Sequence, residues 1–410
     1  MKSLLKNRSA MLLTISRAFS RSGDALETLA LLYLVYDLTG SGLAMGSLML
    51  FSVLPNAIIS PFAGVVADKY NKKKIMFIAE ITRTICILII PILMYTNSIA
   101  LWHIYLISVM VSIAESFFEP TVGITFVLVV GKENMPLANS VGTTLNHIMR
   151  IVGYSLSGII MTTIGKEPLF IIDSLTFLLS AITAIIITIP NMEKTEHEES
   201  TNFIQELKSG FSYVIKNNLI VVILFVVLLA QFLSTPLETY IPLIINKVLK
   251  VSNTWAGYFS TATIVGALIG TILYPVLVKT KIKLHHVYLF GLSFFAIALG
   301  FSTLLITPFY FAFMFFICGL ILSLIGVWSF TEIQLLVDIN YLGRVGSIIT
   351  MICLISSPLS GVIFGALADK ILIPIIFKYL ALSCLIIGIL SYVLTKFAYK
   401  SAPKTQPIEG

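Results

Sequence analysis

The sequence predicts an all-α integral membrane protein, with twelve transmembrane helices arranged as two six-helix pseudo-repeats. Three observations carry this prediction. Of the 410 residues 57% are apolar and 11% charged, and the mean hydropathy is +0.98. A soluble domain carries roughly 25% charged residues, so water cannot be the main solvent of this chain. The apolar residues also gather into runs long enough to cross a bilayer, which takes roughly 20 residues as a helix. Finally, one long polar stretch, residues 191–217, divides the runs into six and six. Helices follow from run length: unpaired backbone groups in lipid cost several kcal/mol each, and the runs are too long for barrel strands.

In chain order the runs lie at about 10–36, 43–67, 75–96, 101–130, 138–163 and 168–189, then at about 218–246, 254–278, 284–306, 309–337, 345–367 and 373–396. The first follows Lys2, Lys6 and Arg8. It is long and lacks a small-residue cleavage site, so it reads as a retained helix and not a signal peptide. Cys86, Cys318, Cys353 and Cys384 all fall inside apolar runs without metal-ligand or redox spacing, and read as apolar filler.

Charge in the connections sets the orientation. With the N-terminus in the cytosol, 18 Lys and Arg fall on the inner side and four on the outer, namely Lys166, Lys247, Lys250 and Lys370. Such a bias predicts cytosolic N- and C-termini in a multi-pass protein of the cell membrane. The net charge of +7 is then accounted for by inner lysines against anionic lipid headgroups, and no nucleic-acid partner is implied.

The domain reading is residues 1–190 as one half, 191–217 as a cytosolic linker and 218–410 as the other half. Within the linker Phe203, Leu207 and Phe211 recur at helical spacing with Ile204 and Val214 nearby, predicting an amphipathic helix on the inner membrane surface. Faint repeats tie the halves together. Ser41 with Gly46 is matched by Ser252 with Gly257, and Leu156-Ser157-Gly158 by Leu359-Ser360-Gly361. Asp369-Lys370 echoes Asp68-Lys69, but at the outer end of run 11, and reads as a coincidence.

Between runs two and three stands Gly64-Val65-Val66-Ala67-Asp68-Lys69-Tyr70-Asn71-Lys72-Lys73-Lys74. This turn resembles the signature of the major facilitator superfamily. Ser20-Arg21-Ser22-Gly23-Asp24, Leu38-Thr39-Gly40-Ser41, Leu137-Ala138-Asn139-Ser140 and Tyr341-Leu342-Gly343-Arg344-Val345 are similar to the branch that holds macrolide efflux proteins and enterobactin exporters. The resemblance implies the two-half transporter fold, a small-molecule substrate, export by alternating access and exchange for protons. It makes Gly64, Asp68, Lys72, Lys73 and Arg344 the gating motif. Asp68 would meet the positive N-terminus of run 11 or Arg344 and latch the halves closed on the inside. Asn71 replaces the usual glycine of the turn, which its tolerance of left-handed backbone would allow. The arginine often found in run 4 is missing, with Val111 near its position, and the antiporter pattern of run 5 survives only as Gly153-Tyr154 and Ser157-Gly158.

Charges inside the bilayer are the candidate site. Asp24 and Glu27 lie in run 1, Glu115 and Glu119 in run 4, Glu238 in run 7 and Glu332 in run 10. A mid-helix acid costs roughly 2.5–3.5 kcal/mol on insertion scales, so these acids imply water, partners or protons. Runs 4 and 5 are antiparallel about their loop, which puts Glu115 level with Arg150 and Glu119 level with His147, two acid–base rungs. In run 1 Arg17, Arg21 and Asp24 stack at helical spacing, leaving Asp24 neutralised by Arg21 and Glu27 freer. Glu27 and Glu238 are thus the leading acids for coupling or substrate binding. Tyr33, Phe118, Gln231, Tyr240, Trp255, Trp328 and Phe330 are the aromatic and polar candidates for the pocket wall.

No phosphate-binding loop, zinc spacing, Ser-His-Asp or Cys-His arrangement is present. The sequence therefore predicts no enzyme, no cofactor and no metal, and the resemblance implies a monomeric exporter of an amphipathic compound, drug or macrolide-like, driven by protons. The rival readings are export of an endogenous siderophore, peptide or lipid, and a receptor or scaffold that uses the fold without transport.

Overall fold

The computed structural model describes residues 7–131, 134–190, 203–280, 282–338 and 341–401. The linker segment 191–202, with the charges read there, and Lys2, Lys6 and Lys281 lie outside the described residues. Among those described there is no strand. The helices are α1 (Arg8–Thr39), α2 (Gly42–Lys69), α3 (Lys72–Tyr95), α4 (Leu101–Val130), α5 (Met135–Thr163), α6 (Glu167–Ile186), α7 (Phe203–Lys216), α8 (Asn218–Thr239), α9 (Thr254–Val278), α10 (Leu284–Phe301), α11 (Pro308–Leu336), α12 (Leu342–Ala368) and α13 (Ile373–Ser401). A π-helical turn, Ile244–Leu249, follows α8 and ends at Lys250 in the left-handed conformation (φ 54).

Local sequence starts and stops these helices. Asn7, Ser41, Asn71, Asn217 and Thr307 are N-caps whose side chains accept a backbone N–H of the first turn. Asn71 does so with φ −65. It stands in the signature turn as a cap for α3 and not as a left-handed substitute for glycine.

Ten of the described helices are long and apolar enough to cross a membrane. The long helices outside that set are α1 and α5, with 32 and 29 residues. Their polar residues explain the difference from the twelve read in the sequence: α1 carries Arg17, Arg21, Asp24 and Glu27, while α5 carries Asn146, His147 and Arg150. Both are packed against other helices, α1 on α5 and α6, and α5 on α9.

The packing scheme repeats. In the first six helices α1 packs on α5 and α6, α2 on α4, and α3 on α6. In the last six α8 packs on α12 and α13, α9 on α11, and α10 on α13. Two further pairs, α2 with α12 and α5 with α9, join the first six to the last six. Close approach in the last six is made by Gly266 and Gly319, where an added Cβ would collide with the backbone of Phe316 and Thr263. Phe259 stacks on Phe315 at 5.0 Å across the same pair.

The joining pairs meet at one end of the bundle, opposite residue 7 and α7. Gly42 faces Gly365 and Gly46 faces Gly361 along α2 and α12, while Gly158 faces Thr254 and Gly257 faces Tyr154 along α5 and α9. Ser155 and Thr261 share a hydrogen bond of 2.8 Å there. We call this the far end. At the near end a Cβ on Gly64, Gly142 or Gly346 would meet nothing within 4 Å among the described residues, so the close glycine packing that joins the two halves at the far end is not repeated at these positions. Helix α7 packs on α12 and α8. Tyr213 stacks on Tyr341 at 4.5 Å, Val214 is buried and Gly210 lies against Arg344. Part of the linker helix is thus docked on the helical bundle. The side chains of Phe203, Ile204 and Leu207 are outside the described set.

Candidate functional site

Four helices bring charge together in the first half. On α1, Arg21 lies with Nη1 3.0 Å from Asp24 Oδ2, as their spacing predicts. On α4, Glu119 accepts from Arg17 Nη2 at 2.9 Å and also pairs with Arg21 Nη2, and Glu115 lies 3.9 Å from Arg21. These contacts replace the two rungs read from sequence. Glu115 does not meet Arg150 and Glu119 does not meet His147, because the faces of α4 that carry the acids turn toward α1 and not α5. Matching depth fixes position along the bundle axis but not rotation about it.

The sequence reading missed three members of the cluster. From α3, Arg83 reaches Asp24 Oδ1 at 3.0 Å and Glu80 Oε1 at 3.5 Å, and its guanidinium covers the Phe177 ring at 3.8 Å. From α6, Asp173 lies against Gly23, where a Cβ would collide with its carboxylate. Arg83, Glu80 and Asp173 are buried, the last two at 0% exposure. Each was visible as a charge inside an apolar run, the same signal that singled out the six acids. Val111 and Arg83 line the same cavity, so the cavity holds a guanidinium from α3 although helix α4 supplies none.

Asp24, Glu27 and Asp173 offer carboxylate oxygens within 4.8 Å of one another. Both oxygens of Asp24 already accept from arginines. Glu27 and Asp173 have no basic side chain within ion-pair distance among the described residues, and Asp173 Oδ2 has no hydrogen-bond partner there. Three arginines (Arg17, Arg21, Arg83) thus face six acids (Asp24, Glu27, Glu80, Glu115, Glu119, Asp173).

A cavity of about 300 Å³ opens onto Asp24, Glu27 and Glu115, walled by Leu31, Leu32, Leu48, Met49, Val53 and Val111. A narrower one is lined by Arg150 of α5 and Glu238 of α8, and by Tyr154, whose ring centre lies 5.8 Å from the Arg150 guanidinium. Thr28, Leu32 and Met49 line both cavities. The two therefore adjoin, and Arg150 faces Glu238 across the halves. Aliphatic residues share the wall of the larger cavity with the charged cluster and with Ser52, Ser108 and Ser112. Of the candidates read from sequence, Tyr33, Phe118, Tyr240 and Trp328 are buried, Trp255 packs on Phe309 at 5.0 Å, and Gln231 donates to Ser357. Phe330 is 49% exposed.

Other sequence candidates lie elsewhere. Glu332 on α11 accepts from Tyr399 of α13, outside the cluster. His147 is half-buried with Nδ1 unpaired among the described residues. In the gating motif, Lys73 donates to Ile185 O at the C-terminal end of α6 (3.1 Å), a favourable place for a cation. Asp68 is exposed and makes no hydrogen bond or ion pair among the described residues. Arg344 donates to Ser209 of α7 at 3.2 Å and lies over the Tyr341 ring. Asp68 and Arg344 are therefore not joined in this conformation.

Comparison with known proteins agrees with this layout. Macrolide efflux protein A of Streptococcus pyogenes is 23% identical over 359 residues, covering 87% of this chain and 88% of that protein. Macrolide efflux protein A of Enterococcus faecalis is 24% identical over 324 residues, 77% and 99% of the two chains. Among solved structures, a bacterial homolog of the human lysosomal transporter Spinster, inward-facing and occupied, superposes with a TM-score of 0.73 at 11% identity over 96% of each chain. The nucleoside transporter NupG does so with 0.71 at 13% identity, over 96% of this chain and 98% of its own. The sequence model of the Major Facilitator Superfamily matches residues 11–360, from the first turn of α1 into α12, and with the repeated packing scheme this settles the family: the chain belongs to the Major Facilitator Superfamily.

Proposed function

We propose that this transporter is a secondary active exporter of an amphipathic small molecule, drug or macrolide-like, working by alternating access in exchange for protons. Residues 1–190 and 218–410 act as its two halves, in the cell membrane with both termini in the cytosol. One observation supports the reading above the others. Three acids, Asp24, Glu27 and Glu115, stand against two arginines, Arg21 and Arg83, at the wall of a cavity that adjoins the one lined by Arg150 and Glu238. A net negative, partly buried cluster needs positive charge to be stable, and protons entering and leaving it couple its charge to the state of the cavity. The mixed wall, with Leu31, Leu32, Leu48, Met49, Val53 and Val111 beside the charged cluster, suits an amphipathic compound. Likeness to the macrolide efflux proteins favours export of that class.

Flux in proteoliposomes under an imposed pH gradient tests the proposal. Uphill movement of a macrolide, or of a hit from an unbiased drug and metabolite panel, should collapse on adding a protonophore. Flux indifferent to the gradient would remove proton coupling, and no flux of any compound would favour a receptor or scaffold role.

A further inference from the structure

The N-terminus of α2 is capped from across the molecule. Gly40 closes α1 in the left-handed conformation (φ 62), which turns the chain directly into α2. A helix start leaves four N–H groups without intrahelical partners, and here all four are satisfied. Gly42 N donates to Asp369 Oδ1 at 2.5 Å and Leu43 N to Asp369 Oδ2 at 3.2 Å. Ala44 N donates to Ser41 Oγ at 3.2 Å, and Ser41 N to Thr39 Oγ1 at 3.2 Å. Ser41 Oγ in turn donates to Asp369 Oδ2 at 2.6 Å. Asp369 is the C-cap of α12, so an acid of the second half holds the positive end of a helix of the first. Lys247, also of the second half, donates to Gly40 O at 3.3 Å, at the negative end of α1. Both charges have the sign that the helix dipoles favour.

Helices α2 and α12 run antiparallel, and each ends on the same dipeptide, Asp68-Lys69 and Asp369-Lys370. Each acid therefore stands at the end of the pair where the other helix begins. The sequence echo that reads as coincidence is a reciprocal arrangement: the far acid is engaged, while the near acid is exposed beside an open Gly64. We propose that Asp369, assisted by Lys247, is the far-end latch of the transport cycle, and that Asp369 and Asp68 engage in turn, one in each state. The inference rests on the alternating-access reading above. Closing the near end while opening the far one would strip Gly42 and Leu43 of their acceptor and hand the acid's role to Asp68.

The test uses the full chain in proteoliposomes with Cys86, Cys318, Cys353 and Cys384 replaced by alanine and one reporter, Met49→Cys, since Met49 lines both cavities. A membrane-impermeant maleimide is added from the far-end face. Asp369→Ala should raise the labelling rate about tenfold, as expected for loss of charge-assisted hydrogen bonds, and Lys247→Gln and Ser41→Ala should raise it less. Wild-type labelling in a folded, monodisperse Asp369→Ala protein would overturn the latch. Should that variant not fold, unchanged labelling in both Lys247→Gln and Ser41→Ala overturns it. A parent labelled from neither face would refute alternating access and the latch with it, whereas a parent that alternates with unchanged variants refutes the latch alone.

Discussion

Arg83 Nη2 lies 3.0 Å from Asp24 Oδ1, a contact from α3 to α1 in the middle of the charge cluster. The same guanidinium lies 3.5 Å from Glu80, which is wholly buried, and covers Phe177. It touches both a cavity acid, Asp24, and a fully buried acid outside the cavity lining, Glu80, and it therefore ties the site to the packing of the first half.

Arg83→Leu is expected to strand Glu80 without its counter-charge and lower stability by about 3–5 kcal/mol, the cost of breaking a buried pair. Thermal unfolding of the purified protein reads this as a clear drop in Tm. Arg83→Leu combined with Glu80→Leu should recover a large part of the loss. Equal losses in the single and double variants would show that packing on Phe177, and not charge, is what Arg83 supplies.

Glu27, Asp173 and Glu238 should separate from Glu115 in kind. Gln at Glu27 or Glu238, or Asn at Asp173, mimics a permanently protonated acid, so proton-driven uphill flux should vanish while substrate binding persists. Glu115→Gln breaks only a 3.9 Å contact between side chains 27–29% exposed, and is expected to cost less than about 1 kcal/mol. Flux and thermal stability measured on all four variants decide the assignment, and normal coupled flux in the first three would remove those acids from the mechanism.

Two glycines offer a contrast in packing. An added methyl at Gly319 would collide with Thr263 O, whereas one at Gly64 meets nothing within 4 Å. Gly319→Ala should destabilise by about 1–3 kcal/mol. Gly64→Ala should leave stability unchanged or improve it by up to about 1 kcal/mol. If Gly64→Ala nonetheless slows transport, the glycine is needed in the state where the near end closes.

Asp68→Asn should likewise leave expression and substrate affinity intact but lower turnover, because an exposed acid without a partner among the described residues in this conformation acts through the opposite one. Wild-type turnover in that variant would exclude Asp68 from gating.

Orientation is tested by single cysteines at Glu196 and Lys281, both expected to react only with reagents on the cytosolic side. Labelling of either from outside intact cells would contradict the orientation drawn from the 18 to four distribution of basic residues.

The sequence by itself determined the all-helical membrane fold, the near-end basic turn and most of the charged residues of the site. These are properties of composition and of distance along the chain: an apolar run declares its solvent, and an ionised side chain inside one declares a special environment. What only the tertiary structure decided is which charges meet. Glu119 chose Arg17 and Arg21 over His147, and Arg150 faces Glu238 and not Glu115, because rotation of a helix about its axis is set by packing against neighbours distant in sequence. The same holds for Asp369. Its value as a cap exists only because glycines at 42, 46, 361 and 365 let α2 and α12 approach closely enough for a carboxylate at the end of one helix to reach the free N–H groups at the start of the other.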